Sequence, residues 1–164
     1  MTLPALQANA PRAELPGIDG RRRQLVPDRA LGHTLLAFFK VSCPTCQLAF
    51  PFLGRFHARF AAPELRVIAV SQDHAGPTKD FVRRYDVGFP VLLDENDYAA
   101  SRAYGVVAVP SVVLVDTEGR VARTTQGFVK KDLEELAAEL GRLGGRDGSP
   151  VWHPGEAVPE LKPG

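Results

Sequence analysis

Two cysteines, Cys43 and Cys46, are the only ones in the chain, and both fall in the stretch FFKVSCPTCQLAF at residues 38–50. Three chemistries use such a pair: reversible thiol–disulfide exchange, half of a metal site, or a structural cross-link. The cross-link is physically the weakest, because a bridge over two intervening residues removes little loop entropy from the unfolded chain. A closed zinc site needs four ligands and an open one needs three plus water. The imidazoles available are His33, His57, His74 and His153. His57 stands eleven residues beyond Cys46 on the same expected helix, roughly 16 Å along its axis, and His33 precedes the strand at its far end. Only His74 falls on the same rim, so no metal and no cofactor are expected.

Exchange chemistry suits the surroundings. Cys43 comes directly after a run that reads as a buried strand and directly before one that reads as a helix. The unpaired amides and the macrodipole of a helix N-terminus favour an anion, and the thiolate is the form of cysteine that attacks. A spacing of three residues sets Cys46 one turn below Cys43, on the same face and better shielded. Cys43 would then attack a disulfide and Cys46 would displace the captured molecule. Pro44 suits the first helical turn and contributes no amide hydrogen. The Thr45 hydroxyl is a candidate donor to either sulfur. Lys40, at the end of the strand, is a candidate cation for the thiolate, which a nearby positive charge favours.

The elements that must position this pair are legible in the apolar pattern. ELPGIDGRRRQLVP (14–27) suggests a hairpin; Arg21, Arg22 and Arg23 behind its turn read as a solvated face. TLLAFF (34–39) and LRVIAV (65–70) fit strands buried on both faces. Apolar residues at 49, 52, 53, 56 and 60 give a helix over 44–60, with Pro51 expected to kink it. TKDFVRRY (78–85) reads as a short helix, FPVLLDE (89–95) as a short strand, and DYAASRAYG (97–105) as a helix ended by Gly105. Residues 109–127 read as two strands around a turn at Thr117 to Gly119. A final helix runs from about Lys130 to Leu143. Residues 1–11 are expected to be loose or extended. The Pro- and Gly-rich stretch 144–164 is expected to be a partly disordered tail that Val151, Trp152, Val158 and Leu161 could pin to the body. The whole predicts an α/β fold: a mixed central sheet flanked by helices on both faces, with an N-terminal β-hairpin.

Composition sets outer limits. A chain of 164 residues suits one domain and buries about two-thirds of its unfolded surface without any staple. A formal net charge of +1 gives no electrostatic case for nucleic acid or an anionic membrane. There is no run of about 18 apolar residues, and MTLPALQANAPRAELPG lacks the basic and apolar regions of a signal peptide. The expectation is therefore a cytoplasmic protein, or an extracytoplasmic one if a leader was trimmed.

Taken together, these motifs resemble the thioredoxin superfamily, and within it the TlpA/ResA-like thiol-disulfide oxidoreductases and their redoxin (AhpC/TSA-type) relatives. The resemblance spans about residues 12–143, which sets a thioredoxin-like domain between the N-terminal segment 1–11 and the tail. It rests on LPGIDGRRRQL, on LLAFF before CPTC, on Pro51 five residues past the second cysteine, on the insert from Gly76 to Tyr104, and on YGVVAVPSVVLVDTEGRV. It implies a cis Pro110 facing the cysteines, with the Val109 backbone beside Cys43 able to pair with an extended substrate. Ser42 and Pro44 complete the expected substrate-binding set. The implied partners are a disulfide-bearing protein or small molecule and an electron donor.

The departures from that family pattern concern the proton. Relatives usually carry Trp before the first cysteine, where this chain has Ser42. The buried acid of thioredoxins falls on Ala37, and the glutamate frequent in ResA-like proteins falls on Ala49. The proton acceptor for Cys46 is thus left open among Asp73, His74, Lys40, water and the other thiol. An alternative reaction class is a peroxiredoxin-like thiol peroxidase with antioxidant activity, since SCPTC resembles the VCPT stretch of that family. Cys43 would become a sulfenic acid and Cys46 would resolve it. Against it, the Thr and Pro of that family's pattern fall on Lys40 and Leu36, and only Arg120 or Arg123 stands ready for its arginine role.

Overall fold

The computed structural model describes residues 2–27, 32–61, 63 and 65–164; Met1, at the head of the expected N-terminal segment, lies outside them. Among the described residues thirteen elements follow in order: β1 (Glu14–Pro16), β2 (Arg22–Gln24), β3 (His33–Phe39), α1 (Pro44–Phe60), β4 (Leu65–Ser71), α2 (Ala75–Arg84), β5 (Val91–Leu93), α3 (Ala99–Ala103), β6 (Ser111–Val115), β7 (Val121–Gln126), β8 (Phe128–Val129), α4 (Lys130–Gly144) and β9 (Leu161–Lys162). Five of the strands make one sheet in the order β5-β4-β3-β6-β7. β3, β4 and β5 run parallel, while β6 and β7 are antiparallel. The hairpin β1–β2 forms its own antiparallel pair and is joined to the edge of the sheet through the Gly17–Leu92 bridge and the Ile18 amide donating to the Val91 carbonyl at 3.0 Å.

Side chains alternate across β3 and divide the core in two. Leu35, Ala37 and Phe39 face α1, α2 and α4, where they meet Phe50, Leu53, Phe56, Phe81, Leu133, Leu136 and Leu140. Leu36 and Phe38 face the other way, against Leu25, Val26, Ala100 and Tyr104. Helices therefore cover both faces, as the pattern predicted. Phe39, Phe50 and Phe81 pack ring to ring, with centroids 4.4 Å (Phe39–Phe50), 4.9 Å (Phe39–Phe81) and 5.0 Å (Phe50–Phe81) apart. This cluster clamps the first half of α1 onto the carboxyl end of β3, and so fixes where the strand-to-helix turn stands. Pro51 lies inside α1 on its exposed side, and the helix runs continuously through it.

Both ends of the chain are tied to the body. The N-terminal segment is tied to the β6–β7 hairpin: the Gln7 amide donates to the Val121 carbonyl (2.8 Å), Val121 to Ala8 (2.9 Å) and Ala10 to Gly119 (2.9 Å). The tail is folded onto the body. Val151 is buried, Trp152 meets the Phe52 ring edge-on at 6.2 Å, and β9 pairs antiparallel with β8. Of the four apolar residues expected to pin it, Leu161 stays exposed and contributes through its backbone pairing with Val129. The expectation of disorder weighed composition and missed pairings with residues a hundred positions upstream.

Candidate active site

Cys43 is the N-cap of α1, with φ −81° and ψ 114°. Its backbone leaves the strand in the extended region and its side chain turns back over the first helical turn. The Cys46 amide donates to Cys43 Sγ at 3.2 Å, so the sulfur does the work usually done by the oxygen of a capping Ser or Asp. Cys43 Sγ in turn donates to the Val109 carbonyl at 3.3 Å. The Val109–Pro110 bond is cis, as the family resemblance implied, and Pro110 is buried at the start of β6.

The two sulfurs occupy different environments. Cys43 is half-buried and Cys46 is 0% exposed. Burial, above all, pushes the Cys46 thiol far above its usual range; the Cys43 sulfur and the negative charge of Asp73 push the same way, and the Lys40 backbone opposes them. Ala37 and Ala49, which stand where relatives carry acids, are buried beside Cys46 in the same apolar cluster. The carboxylate whose charge bears on Cys46 is that of Asp73, two residues past β4. Asp73 is fixed by its Oδ2, which accepts the Val41 amide at 2.7 Å, and by its own amide, which donates to Ser71 Oγ at 3.1 Å.

Other candidates take different places. Lys40 is exposed and its ammonium lies 5.9 Å from the centre of the Tyr98 ring; what reaches the cysteines is its backbone, whose carbonyl accepts the Cys43 amide at 3.2 Å. The Thr45 hydroxyl donates to the carbonyl of Pro163 at 2.6 Å, not to a sulfur. Ser42 and Pro44 are exposed on either side of Cys43. His74 caps α2, with Nδ1 2.5 Å from Glu95 Oε2. Arg120 follows the turn at the opposite end of the β6–β7 hairpin from Pro110, and Arg123 pairs with Glu135 and Glu139 of α4. Neither arginine fills the role the peroxidase alternative needs. A cavity of about 300 Å³ under α4, lined by Leu35, Leu114, Arg123, Asp132 and Leu136 among others, includes neither cysteine, nor Val109 or Pro110. What sequence reasoning missed is the last three residues, Lys162, Pro163 and Gly164: Gly164 packs on the Val109 peptide unit. The one local signal was Gly127, whose φ of 75° and open face admit Lys162 and Pro163.

A mixed sheet of this order, with a dithiol at the junction of its central strand and the following helix, defines a thioredoxin-like thiol-disulfide oxidoreductase. The AhpC/TSA family pattern matches residues 6–124. The thiol-disulfide oxidoreductase ResA of Bacillus thuringiensis subsp. konkukian is 27% identical over 133 residues, which cover 80% of this chain and 76% of that protein. ResA of Bacillus subtilis is 28% identical over 130 residues, covering 77% and 70%. Among solved structures, a provisionally assigned thiol:disulfide interchange protein DsbE from Chlorobium tepidum superposes with a TM-score of 0.75 at 27% identity, covering 85% of this chain and 97% of that one. The chain belongs to the AhpC/TSA family, on its thiol-disulfide oxidoreductase side.

Proposed function

We propose that the protein exchanges disulfides with protein clients, with Cys43 as the attacking sulfur and Cys46 as the resolving one. The observation that carries this is the asymmetry of the pair: one sulfur reachable at a helix N-terminus with an amide aimed at it, the other sealed a turn below. In the reducing direction the Cys43 thiolate attacks one sulfur of the client disulfide. A bond forms between Cys43 and that sulfur, and the client's other sulfur leaves as a thiolate and takes up a proton. Cys46 then loses its proton and attacks Cys43 Sγ, which releases the client's second sulfur as a thiolate. Two electrons have moved to the client, and the enzyme holds a Cys43–Cys46 disulfide that an external dithiol must reduce. A cytoplasmic location, which we include in the proposal, would keep the pair reduced and set this direction.

Asp73 is the residue we assign as acceptor of the Cys46 proton. Its charge already bears on that thiol, and burial makes an acceptor necessary, because a thiol held this far above its usual range does not ionise unaided near neutrality. Proton acceptance of this kind contributes on the order of 100-fold. The Val109 backbone lines the approach to Cys43, and an extended client segment can pair there as an added strand.

The test is capture. In Cys46→Ala the mixed disulfide cannot be resolved, so a peptide disulfide accumulates on Cys43, visible by mass. Cys43→Ala should hold none. Accumulation on Cys46 in the Cys43→Ala protein would reverse the assignment. Hydrogen peroxide consumption that depends on Cys43 and exceeds disulfide exchange would favour the peroxidase chemistry instead.

A further inference from the structure

We propose that residues Leu161–Gly164 occupy the groove through which an extended peptide of a protein client must reach Cys43, so that the chain's own C-terminal strap competes with its clients. The proposal rests on the reading above that Cys43 exchanges with protein disulfides.

Three contacts converge on the same few atoms. Leu161 and Lys162 pair with Val129 and Phe128 as the two-stranded β8–β9 ladder, extended by the Lys130 amide donating to the Glu160 carbonyl at 3.0 Å. Beyond the ladder the Pro163 carbonyl accepts the hydroxyl of Thr45, one of the two residues between the cysteines. Gly164 then lies flat on the Val109 peptide unit. A Cβ at Gly164 would stand 2.8 Å from the Val109 carbonyl carbon, 3.2 Å from its nitrogen, and would overlap its oxygen. That oxygen is the one that accepts the Cys43 thiol. On the other side of the strap Gly127 leaves room: a Cβ there would be 2.9 Å from the Lys162 carbonyl oxygen and 3.4 Å from the Pro163 Cα. The groove between Thr45, Val109 and Gly127 is therefore filled by an extended backbone that sets a glycine, Gly164, against Val109.

An extended chain in that groove shows the shape of what it accepts: a β-like peptide with a small residue against Val109. Main-chain pairing of this kind carries affinity with little demand on sequence. A client peptide and the strap cannot both sit on Val109, so the apparent affinity for the peptide is reduced by the fraction of molecules whose strap is away. A small organic disulfide needs only the Cys43 sulfur and does not need the groove. The strap thus discriminates by size and conformation of the substrate and leaves the sulfur chemistry untouched.

The experiment compares the full chain with two variants, Gly164→Ala and a chain ending at Glu160. Two probes are used: a twelve-residue peptide carrying a disulfide within an extended segment, and 2-hydroxyethyl disulfide. Hydrogen exchange over residues 127–131 reports whether the strap has left β8. If the strap is docked in nine molecules of ten, its removal should raise peptide kcat/KM by about tenfold, while the rate on 2-hydroxyethyl disulfide stays within about twofold. Peptide trapped on Cys43 in Cys46→Ala should also deprotect residues 127–131. Unchanged peptide rates in a variant whose strap is shown to be released would overturn the proposal, as would a slower rate, which would make the strap part of the client site. If the strap stays docked in Gly164→Ala, the shortened chain alone decides. Absence of exchange with both probes in every form would sink the exchange reading itself.

Discussion

The first turn of α1 and the C-terminal strap meet at the same sulfur, yet different forces hold them there. The helix is set by burial: Phe39, Phe50 and Phe81 lock its inner face to the sheet, and Cys46 lies in that dry layer. The segment that leads into the strap, residues 151–160, is held by polar contacts near the surface together with the side chains of Val151 and Trp152. Arg55 of α1 grips Glu156 with both nitrogens at 2.7 and 2.8 Å and also donates to the Val151 carbonyl at 3.2 Å. Lys130 reaches Glu160 at 3.2 Å, and Trp152 rests edge-on against Phe52. Apolar burial is insensitive to pH and modest sequence change, whereas exposed ion pairs are individually weak. The site therefore has a rigid floor that positions the reacting atoms and a detachable cover that can open without disturbing them.

Removing the floor should have the largest effect. Phe50→Ala should cost about 3–5 kcal/mol and lower the melting temperature by about 10 °C, read by calorimetry, and should blunt exchange with every substrate alike. Asp73→Asn leaves the fold in place and should slow release of a trapped peptide by about 100-fold with little change in its capture; stopped-flow detection of the mixed disulfide separates the two steps. Slowed capture with normal release would move Asp73 out of the proton path.

The cover should respond to smaller changes. Trp152→Ala loses an aromatic edge contact of about 1 kcal/mol, so hydrogen exchange over β8 should quicken by about fivefold while the melting of the body barely shifts. Acid should act on the cover as well. The Arg55 guanidinium holds the Glu156 carboxyl down to about 2, below its ordinary 4.5. A carboxylate depressed on docking stabilises the docked state fully above about pH 4.5, and loses that contribution as pH falls through 2. Trp152, the one tryptophan of the chain, should report this by fluorescence. Asp147, also depressed, through its bonds to Ser149, acts in the same direction. In Glu156→Gln only the Asp147 share of the acid response should remain.

The same contrast explains what the sequence disclosed. Periodicity at 49, 52, 53, 56 and 60 located α1, and continuous apolar runs located β3 and β4, because burial leaves its mark on neighbouring residues in the chain. The site inherited that clarity: a cysteine at a strand-helix junction has few alternatives. Asp73 was only one of several acids and bases near the rim, since its relation to Cys46 depends on how β4 lies beside β3. The strap was illegible for a stronger version of the same reason. Arg55 with Glu156 and Thr45 with Pro163 are pairs about a hundred residues apart, and a Pro- and Gly-rich composition says nothing about such partners.

The central claim is that the two sulfurs are unequal, one offered to clients and one withheld. Timed alkylation of the reduced, native protein by iodoacetamide, with each cysteine followed by peptide mass, tests it most directly. Burial and its effect on ionisation predict that Cys43 is modified at least about 100-fold faster than Cys46, and that denaturant removes the difference. Comparable rates for both cysteines in the native protein, or faster modification of Cys46, would contradict the account.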